Sequence, residues 1–254
     1  MQIIRSSLRR TLPWCSLLLW ASFVGAHSKT SSDISRGEFS ADATSLGESK
    51  APRRFTIISP DTQNSIIVHD SGEGQSPGFE AFMTLGEKRL PLFDGQVDPE
   101  VLWSPDSKAF AETYSDGGAV GQFHVLIYYI GHRGLRTVEP TARVTQDFLS
   151  HPHYCYWDED PNIGAVAWLQ NSSRLLVAAE FPPHSNCEEM GMFRAYEITV
   201  PSGQIIKSYD QLTAKRLFWP HLGDELRAAD DECVKKPKSC QAEAIKLGRK
   251  LFIK

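Results

Sequence analysis

Val101-Leu102-Trp103-Ser104-Pro105-Asp106-Ser107-Lys108-Ala109-Phe110-Ala111 sets an apolar lead-in, a Ser-Pro-Asp turn and an alternating strand in direct succession. Proline presets φ at the turn, and the Ser and Asp side chains satisfy the backbone groups that the reversal exposes. The chain is therefore returned sharply into the next strand. Ile57-Ile58-Ser59-Pro60-Asp61-Thr62, followed by Ser65-Ile66-Ile67-Val68, repeats the pattern 45 residues earlier. A worn third copy runs Val166-Ala167-Trp168-Leu169-Gln170-Asn171-Ser172-Ser173 and continues into Arg174-Leu175-Leu176-Val177. A unit of four short strands takes roughly 40 to 50 residues, which fits the spacing of the first two copies.

Working outward from these turns, short strands are predicted at Phe55 to Ile58, Ser65 to His69, Phe79 to Thr84, Lys108 to Thr113, Phe123 to Ile130, Arg174 to Ala179, Phe193 to Val200 and Gln204 to Tyr209. These stretches are rich in β-branched and aromatic residues, and Gly72 to Gly74, Asp116-Gly117-Gly118 and Pro201-Ser202-Gly203 punctuate them. No crossover helix of sufficient length separates them, so antiparallel pairing is expected and a parallel α/β fold is disfavoured. Further on, Leu222, Leu226, Ala229 and Cys233 fall on one helical face, as do Cys240, Ala244, Leu247 and Leu251 after Pro237. That spacing predicts a short helical hairpin across residues 211–254, packed against the sheets because so short a pair is marginal alone.

The three turn units resemble the W-S-P-D-G/S repeat of TolB-like and related WD40-like β-propellers, in which the turn joins two strands of one blade. The match is full at Trp103 to Ser107; the first copy lacks the tryptophan, and the third lacks the Pro-Asp. Propellers close with four to eight blades, whereas Phe55 to Asp210 supplies three and part of a fourth. A complete large propeller is thereby excluded. The resemblance implies an all-β fold, with antiparallel sheets in an incomplete or irregular β-propeller-like array over residues 55–210. Thr141 to Ile163 would then be an insertion between the second and third units. A fragment completed by a second chain, or a sandwich using the same turn, remains compatible with the residues.

The N-terminus bears on compartment. Arg5, Arg9 and Arg10 precede an apolar run from Leu12 to Val24, and Val24-Gly25-Ala26 offers small residues where a signal peptidase reads. The run is shorter than the roughly 20 residues that span a bilayer, so residues 1–26 read as a cleaved signal peptide rather than an anchor. The protein is thus expected to be secreted or periplasmic. Residues 27–54 are rich in Ser, Thr, Asp, Gly and Lys, and their composition predicts a disordered leader. Cleavage would leave Cys155, Cys187, Cys233 and Cys240. An even count in an oxidising compartment favours two disulfides, with three pairings open. Cys155 with Cys187 and Cys233 with Cys240 is the reading taken, because each pair lies within one stretch of predicted structure. No CxxC pair supports zinc.

Charge narrows the partners. With 27 basic and 31 acidic residues the net charge is -4, and no basic stripe offers the footprint that nucleic acid requires. No second apolar run reaches spanning length, so no membrane span is expected in the mature chain.

Reactive side chains concentrate in His151-Pro152-His153-Tyr154-Cys155-Tyr156-Trp157-Asp158-Glu159-Asp160. In an extended segment His151, His153 and Cys155 share a face, and His151, His153 and Asp158 form a candidate transition-metal set. An aromatic, acidic loop pinned by a disulfide explains the same residues without metal. Asp158, Asp160, Asn162 and Gly164 imitate a calcium loop, but Leu169 stands where an EF-hand requires Glu. Neither a G-x-S-x-G elbow, nor a Walker loop, nor a Rossmann fingerprint occurs. Asp98 with Glu100, and Glu188 with Glu189, read as carboxylate pairs on solvated loops. Trp103 and Trp168 are expected in the core, while Tyr154, Tyr156, Trp157, Asp158 and, more remotely, Trp219 are candidates for contact with a partner. Asn171-Ser172-Ser173 fits a glycosylation acceptor.

Together these features lead to an expected extracytoplasmic binding protein without catalytic activity and without a cofactor, directed at a protein or carbohydrate ligand of the cell envelope. Residues 151–160 and the neighbouring loop Pro182 to Glu189 are the expected contact surface. A secreted metal-dependent hydrolase and a structural envelope component are the alternatives.

Overall fold

Alternation of buried and exposed positions around the Ser-Pro-Asp turns builds the chain into antiparallel meanders. The computed structural model describes residues 37–46, 54–70, 79–85, 87–117, 122–132, 134–151, 160–183 and 190–229. A two-residue strand, β1 (Thr44–Ser45), comes first. The first meander consists of β2 (Arg54–Ile58), β3 (Asn64–Asp70), β4 (Phe79–Leu85) and the leading half of β5 (Lys88–Trp103). The trailing half of β5 opens the second meander, completed by β6 (Ala109–Ser115), β7 (Phe123–Gly131) and β8 (Gly134–Val138). Helix α1 (Thr141–Ser150) then leads to the third, formed by β9 (Asn162–Leu169), β10 (Arg174–Glu180), β11 (Phe193–Thr199) and β12 (Ile205–Asp210). Every strand pair is antiparallel, and within each of the two sheets, β2 to β8 and β9 to β12, sequence neighbours are sheet neighbours, with β1 added on β5. The expected all-β, antiparallel class is therefore what the chain adopts; among the described residues no sheet closes on itself.

The first two turns have one internal geometry. Ser59 Oγ donates to Asp61 Oδ1 (2.6 Å) and accepts from the Asn64 amide (3.0 Å), while Asp61 Oδ1 accepts from the Gln63 amide (3.0 Å). In the second, Ser104 Oγ donates to Asp106 Oδ1 (2.8 Å) and accepts from Ala109 (2.9 Å), and Asp106 Oδ1 accepts from Lys108 (3.2 Å). The residue after each Asp is left-handed, Thr62 at φ 62° and Ser107 at φ 59°. The third copy, lacking Pro-Asp, makes the reversal with three consecutive left-handed residues, Gln170, Asn171 and Ser172. Its strand register shows the same reversal point.

Side-chain alternation in strands divides the core into layers. Ile57, Ile66, Val68, Ala81 and Met83 of the first meander meet Val101, Phe110 and Tyr128 of the second. The opposite face of that second meander sends Leu102, Ala111, Val125 and Ile127 against Ile163, Leu175, Val177, Ala179 and Tyr196 of the third, with Val144 and Phe148 of α1 filling the same layer. Leu176, Ala178 and Ala195 point the other way, onto Phe39, Ala214, Leu222 and Leu226. Two meanders are thus buried on both faces, which explains their near-continuous apolar runs.

Helix α2 (Gln211–Phe218) covers this last face. It is capped by Asp210, whose side chain accepts from the Thr213 amide at 2.7 Å. A 3₁₀ turn (Trp219–His221) and α3 (Asp224–Ala228) follow. Leu222, Leu226 and Ala229 enter one packed layer, but Leu222 is extended (ψ 135°) and precedes α3, so the helix expected to run through all three does not form; the remainder of the expected hairpin, with Cys233 and Cys240, lies outside the described residues.

Composition misjudges one segment. Gly37–Leu46, expected within a disordered leader, is packed: Phe39 and Leu46 are buried, Thr44 and Ser45 pair with Val101 and Glu100, and Ser40 Oγ donates to the Val166 carbonyl at 2.7 Å. Two apolar side chains and partners remote in sequence order it, and composition records neither. Among the described residues, no helix is long and apolar enough to cross a membrane.

Candidate functional site

Strand register sets the start of β9, the end of β10 and the start of β11 side by side at one end of the third meander. Asn162 pairs with Glu180, and Glu180 with Phe193. Residues 152–159, which precede β9 in sequence, and residues 184–189, which separate β10 from β11 in sequence, lie outside the described residues. Phe148, near the end of α1, meets Phe181 with ring centroids 4.6 Å apart. Met190 and Met192, on the approach to β11, are 51% and 42% exposed although large and apolar. Gly191 between them adopts φ 75°, and its amide donates to the Phe181 carbonyl at 2.8 Å.

His151 follows the last turn of α1, with Nδ1 2.8 Å from the Asp147 carbonyl oxygen and 3.8 Å from its carboxylate. The other candidates for contact, metal binding or disulfide formation (His153, Tyr154, Cys155, Tyr156, Trp157, Asp158, Cys187, Cys233 and Cys240) lie outside the described residues. Among the described residues, no group of three His, Cys, Asp or Glu could hold a metal ion. The calcium-loop imitation is corrected at two positions. Asn162 and Gly164 belong to strand β9; Asn162 is buried with Oδ1 accepting from the Phe123 amide at 3.3 Å, and Gly164 lies against Phe39.

Three carboxylates that the sequence does not single out as a group are buried. Glu100, expected on a solvated loop, sits in β5, where Oε1 accepts from the Glu38 and Phe39 amides and Oε2 has no partner among the described residues. Burial pushes its carboxyl up to about 8, against the opposing pull of those amides. Glu112 accepts from the Tyr128 hydroxyl at 2.9 Å, and burial also pushes it up to about 8. Glu180 has both oxygens unpartnered among the described residues; burial first, then the neighbouring Glu225 and Glu38, hold its carboxyl well above the usual range, with Lys215 acting in opposition. The available signal was parity: Glu112 shares the Phe110 face, and Glu180 the Leu176 and Ala178 face.

Among the described tryptophans, Trp103 and Trp168 are half-buried against the core layers. Trp103 packs on Phe110 at 5.0 Å, and Trp168 Nε1 donates to the Leu102 carbonyl at 3.0 Å, joining the third meander to the second. Trp219 is 49% exposed, with the Arg227 guanidinium 5.6 Å from its ring centre and the Lys215 ammonium 5.9 Å away.

No protein-family model matches the chain, and no curated protein matches it in sequence. Among solved structures it is similar to an acylaminoacyl peptidase from Pyrococcus horikoshii, at 13% identity and a TM-score of 0.34, over 61% of this chain and 25% of that one. It is also similar to a protein from Bacteroides uniformis described as a 6-phosphogluconolactonase, at 13% identity and a TM-score of 0.28, over 64% of this chain and 42% of that one. The chain thus spans a quarter and less than half of these two proteins, and likeness at this level carries no argument about fold or activity.

Proposed function

We propose that the chain is an exported, non-catalytic binding protein of the cell envelope, whose three meanders are consecutive units of an irregular propeller-like array. Its ligand, a protein or a carbohydrate, is engaged at the end of the third meander formed by Asn162, Glu180 and Phe193, together with residues 152–159 and 184–189 that flank these strands in sequence. The observation that supports this reading is the register Asn162 to Glu180 to Phe193, which sets side by side the strand ends that these segments flank in sequence. Exposed Met190 and Met192 at the same end add apolar area of the kind that adapts to a partner.

Two further features support it. The carboxylates displaced most from their ordinary range, Glu100, Glu112 and Glu180, lie within the packed interior. Their burial fits a structural role better than contact with a substrate. The repeated turn favours the propeller-like reading, because successive units share its geometry and stack face to face.

The test is retention of ligand from a native envelope extract by the immobilised protein. Tyr156→Ala combined with Trp157→Ala is expected to abolish capture while leaving the thermal melt unchanged. Full capture by that variant would sink the placement.

A further inference from the structure

We infer that Gly37–Leu46 is a latch released by rising pH: it stays closed over the interior while Glu100 and Glu180 keep their protons, and opens when they give them up. The segment clasps separate parts of the fold. Thr44 and Ser45 pair with β5, Leu46 donates to the Pro99 carbonyl (3.0 Å), Ala41 donates to the His221 carbonyl (2.9 Å), and Gly223 donates to the Phe39 carbonyl (2.8 Å). At its centre the Phe39 ring occupies the space above Gly164 and meets Phe123 at 5.2 Å.

Both carboxyls are enclosed by the latch or its partners. The Glu38 and Phe39 amides donate to one Glu100 oxygen; the other faces Gly37 so closely that a Cβ built there would lie 2.3 Å from it. The Ser40 amide also acts on this carboxyl and, like the Glu38 and Phe39 amides, favours its charge, but burial outweighs all three and Oε2 has no hydrogen-bond donor of normal geometry among the described residues. Glu180 is fully buried, and the charged groups that face it are Glu38 on the latch, Glu225 on α3 and Lys215 on α2. Glu38 also faces Glu100, adding like charge to both. Two acids against one base, inside a closed face, resist a further negative charge.

The direction follows from linkage. Below the ordinary carboxyl value of 4.5 both closed and open states hold the Glu100 proton, and pH has no effect. Between 4.5 and about 8 only the closed state retains it, so opening becomes up to about tenfold more favourable per pH unit. Above about 8 the Glu100 contribution levels off. Glu180, held high by burial and the same acids, acts in the same sense.

Amide hydrogen exchange on the full chain tests this, with rates corrected for base catalysis at several pH values from about 5 to about 8. Glu38, Phe39, Ala41 and Leu46 are expected to lose protection by up to about tenfold per unit for each carboxyl, while Val177 and Ala195 in the third meander keep theirs. Glu100→Gln with Glu180→Gln should flatten that dependence. Latch and interior amides losing protection in step, latch protection independent of pH, or an undiminished dependence in the double variant would each overturn the inference. If the double variant does not fold, the wild-type comparison decides alone. Ligand binding plays no part in the measurement, so its outcome is independent of the function proposed above.

Discussion

The Asp61 amide donates to Ser107 Oγ at 2.9 Å, joining one Ser-Pro-Asp turn to the next, 46 residues on. Asp106 repeats the contact toward Ser172 Oγ at 3.2 Å. Both acceptors are left-handed, Ser107 alone in its turn and Ser172 as the last of three. The turns therefore reverse the chain and also tie successive meanders together at one rim. Ser107→Ala is expected to destabilise the fold by about 1 kcal/mol, the usual net value of one such bond. Ser107→Gly should cost less, because glycine relieves the positive φ. Urea unfolding of both variants checks the order; equal losses would separate the stability effect from the backbone argument.

A second contact supports a larger effect. A Cβ at position 164 would lie 1.9 Å from Cγ of Phe39. Gly164→Ala must displace that ring, and Phe39→Ala leaves a cavity in the layer formed by Leu176, Ala178 and Leu222. Each single change is expected to cost roughly 2 to 5 kcal/mol. The double variant should cost clearly less than their sum, since the ring that the alanine would strike is gone. Additive losses in a denaturant series would mean that the two residues do not share one space.

Much of this architecture was legible because the turn chemistry is local. Ser59 to Asn64 and Ser104 to Ala109 declare both the reversal and the register of the strands on either side. What was not legible depends on distant partners. The sixteen residues of β5 contain Pro91, Gly95 and Pro99, signals that argue against a strand; register shifts where it meets β4 and β6 accommodate them. Helix α1 was signalled by Pro140 and by Val144 and Phe148 at i and i+4, yet a ten-residue helix among strands was absorbed into an expected insertion. Helix α2 carries its cap in Asp210 and Thr213 and falls within the expected helical region 211–254, ahead of the apolar spacing at Leu222 and Leu226 that signals that region. The candidate surface is legible only as composition, and the pairing of Asn162 with Glu180 joins the strand ends that border it in sequence.

Glu112 makes a prediction of opposite character to an ordinary surface acid. The folded chain keeps its proton up to about 8, whereas the unfolded chain releases it near the ordinary 4.5. Its contribution to stability is therefore undiminished below pH 4.5, is lost progressively as pH rises toward about 8, and then levels off. Glu112→Gln should flatten the fall by at most about 1.4 kcal/mol per unit of pH. It retains an oxygen to accept from Tyr128. Glu112→Leu would flatten it equally while leaving the Tyr128 hydroxyl without its 2.9 Å partner. Melting temperatures of the three proteins across this range distinguish the charge effect from the hydrogen bond.

Gly191 and Met192 separate stability from recognition at the proposed surface. The Phe181 amide donates to the Met192 carbonyl at 3.0 Å and the Gly191 amide returns to Phe181, so the backbone is fixed while the methionine side chain is exposed. Gly191→Ala meets nothing closer than 3.8 Å, at Ala229 Cα, but must hold φ 75°. It should lose about 1 kcal/mol through backbone strain alone. Met192→Ser removes little buried area and should leave the melt within about 0.5 kcal/mol of wild type. If the end of the third meander is the contact surface, Met192→Ser should nevertheless reduce ligand capture severalfold, because the lost thioether is 42% exposed at that end. Capture unchanged by Met192→Ser together with Met190→Ser would place the contact elsewhere on the molecule.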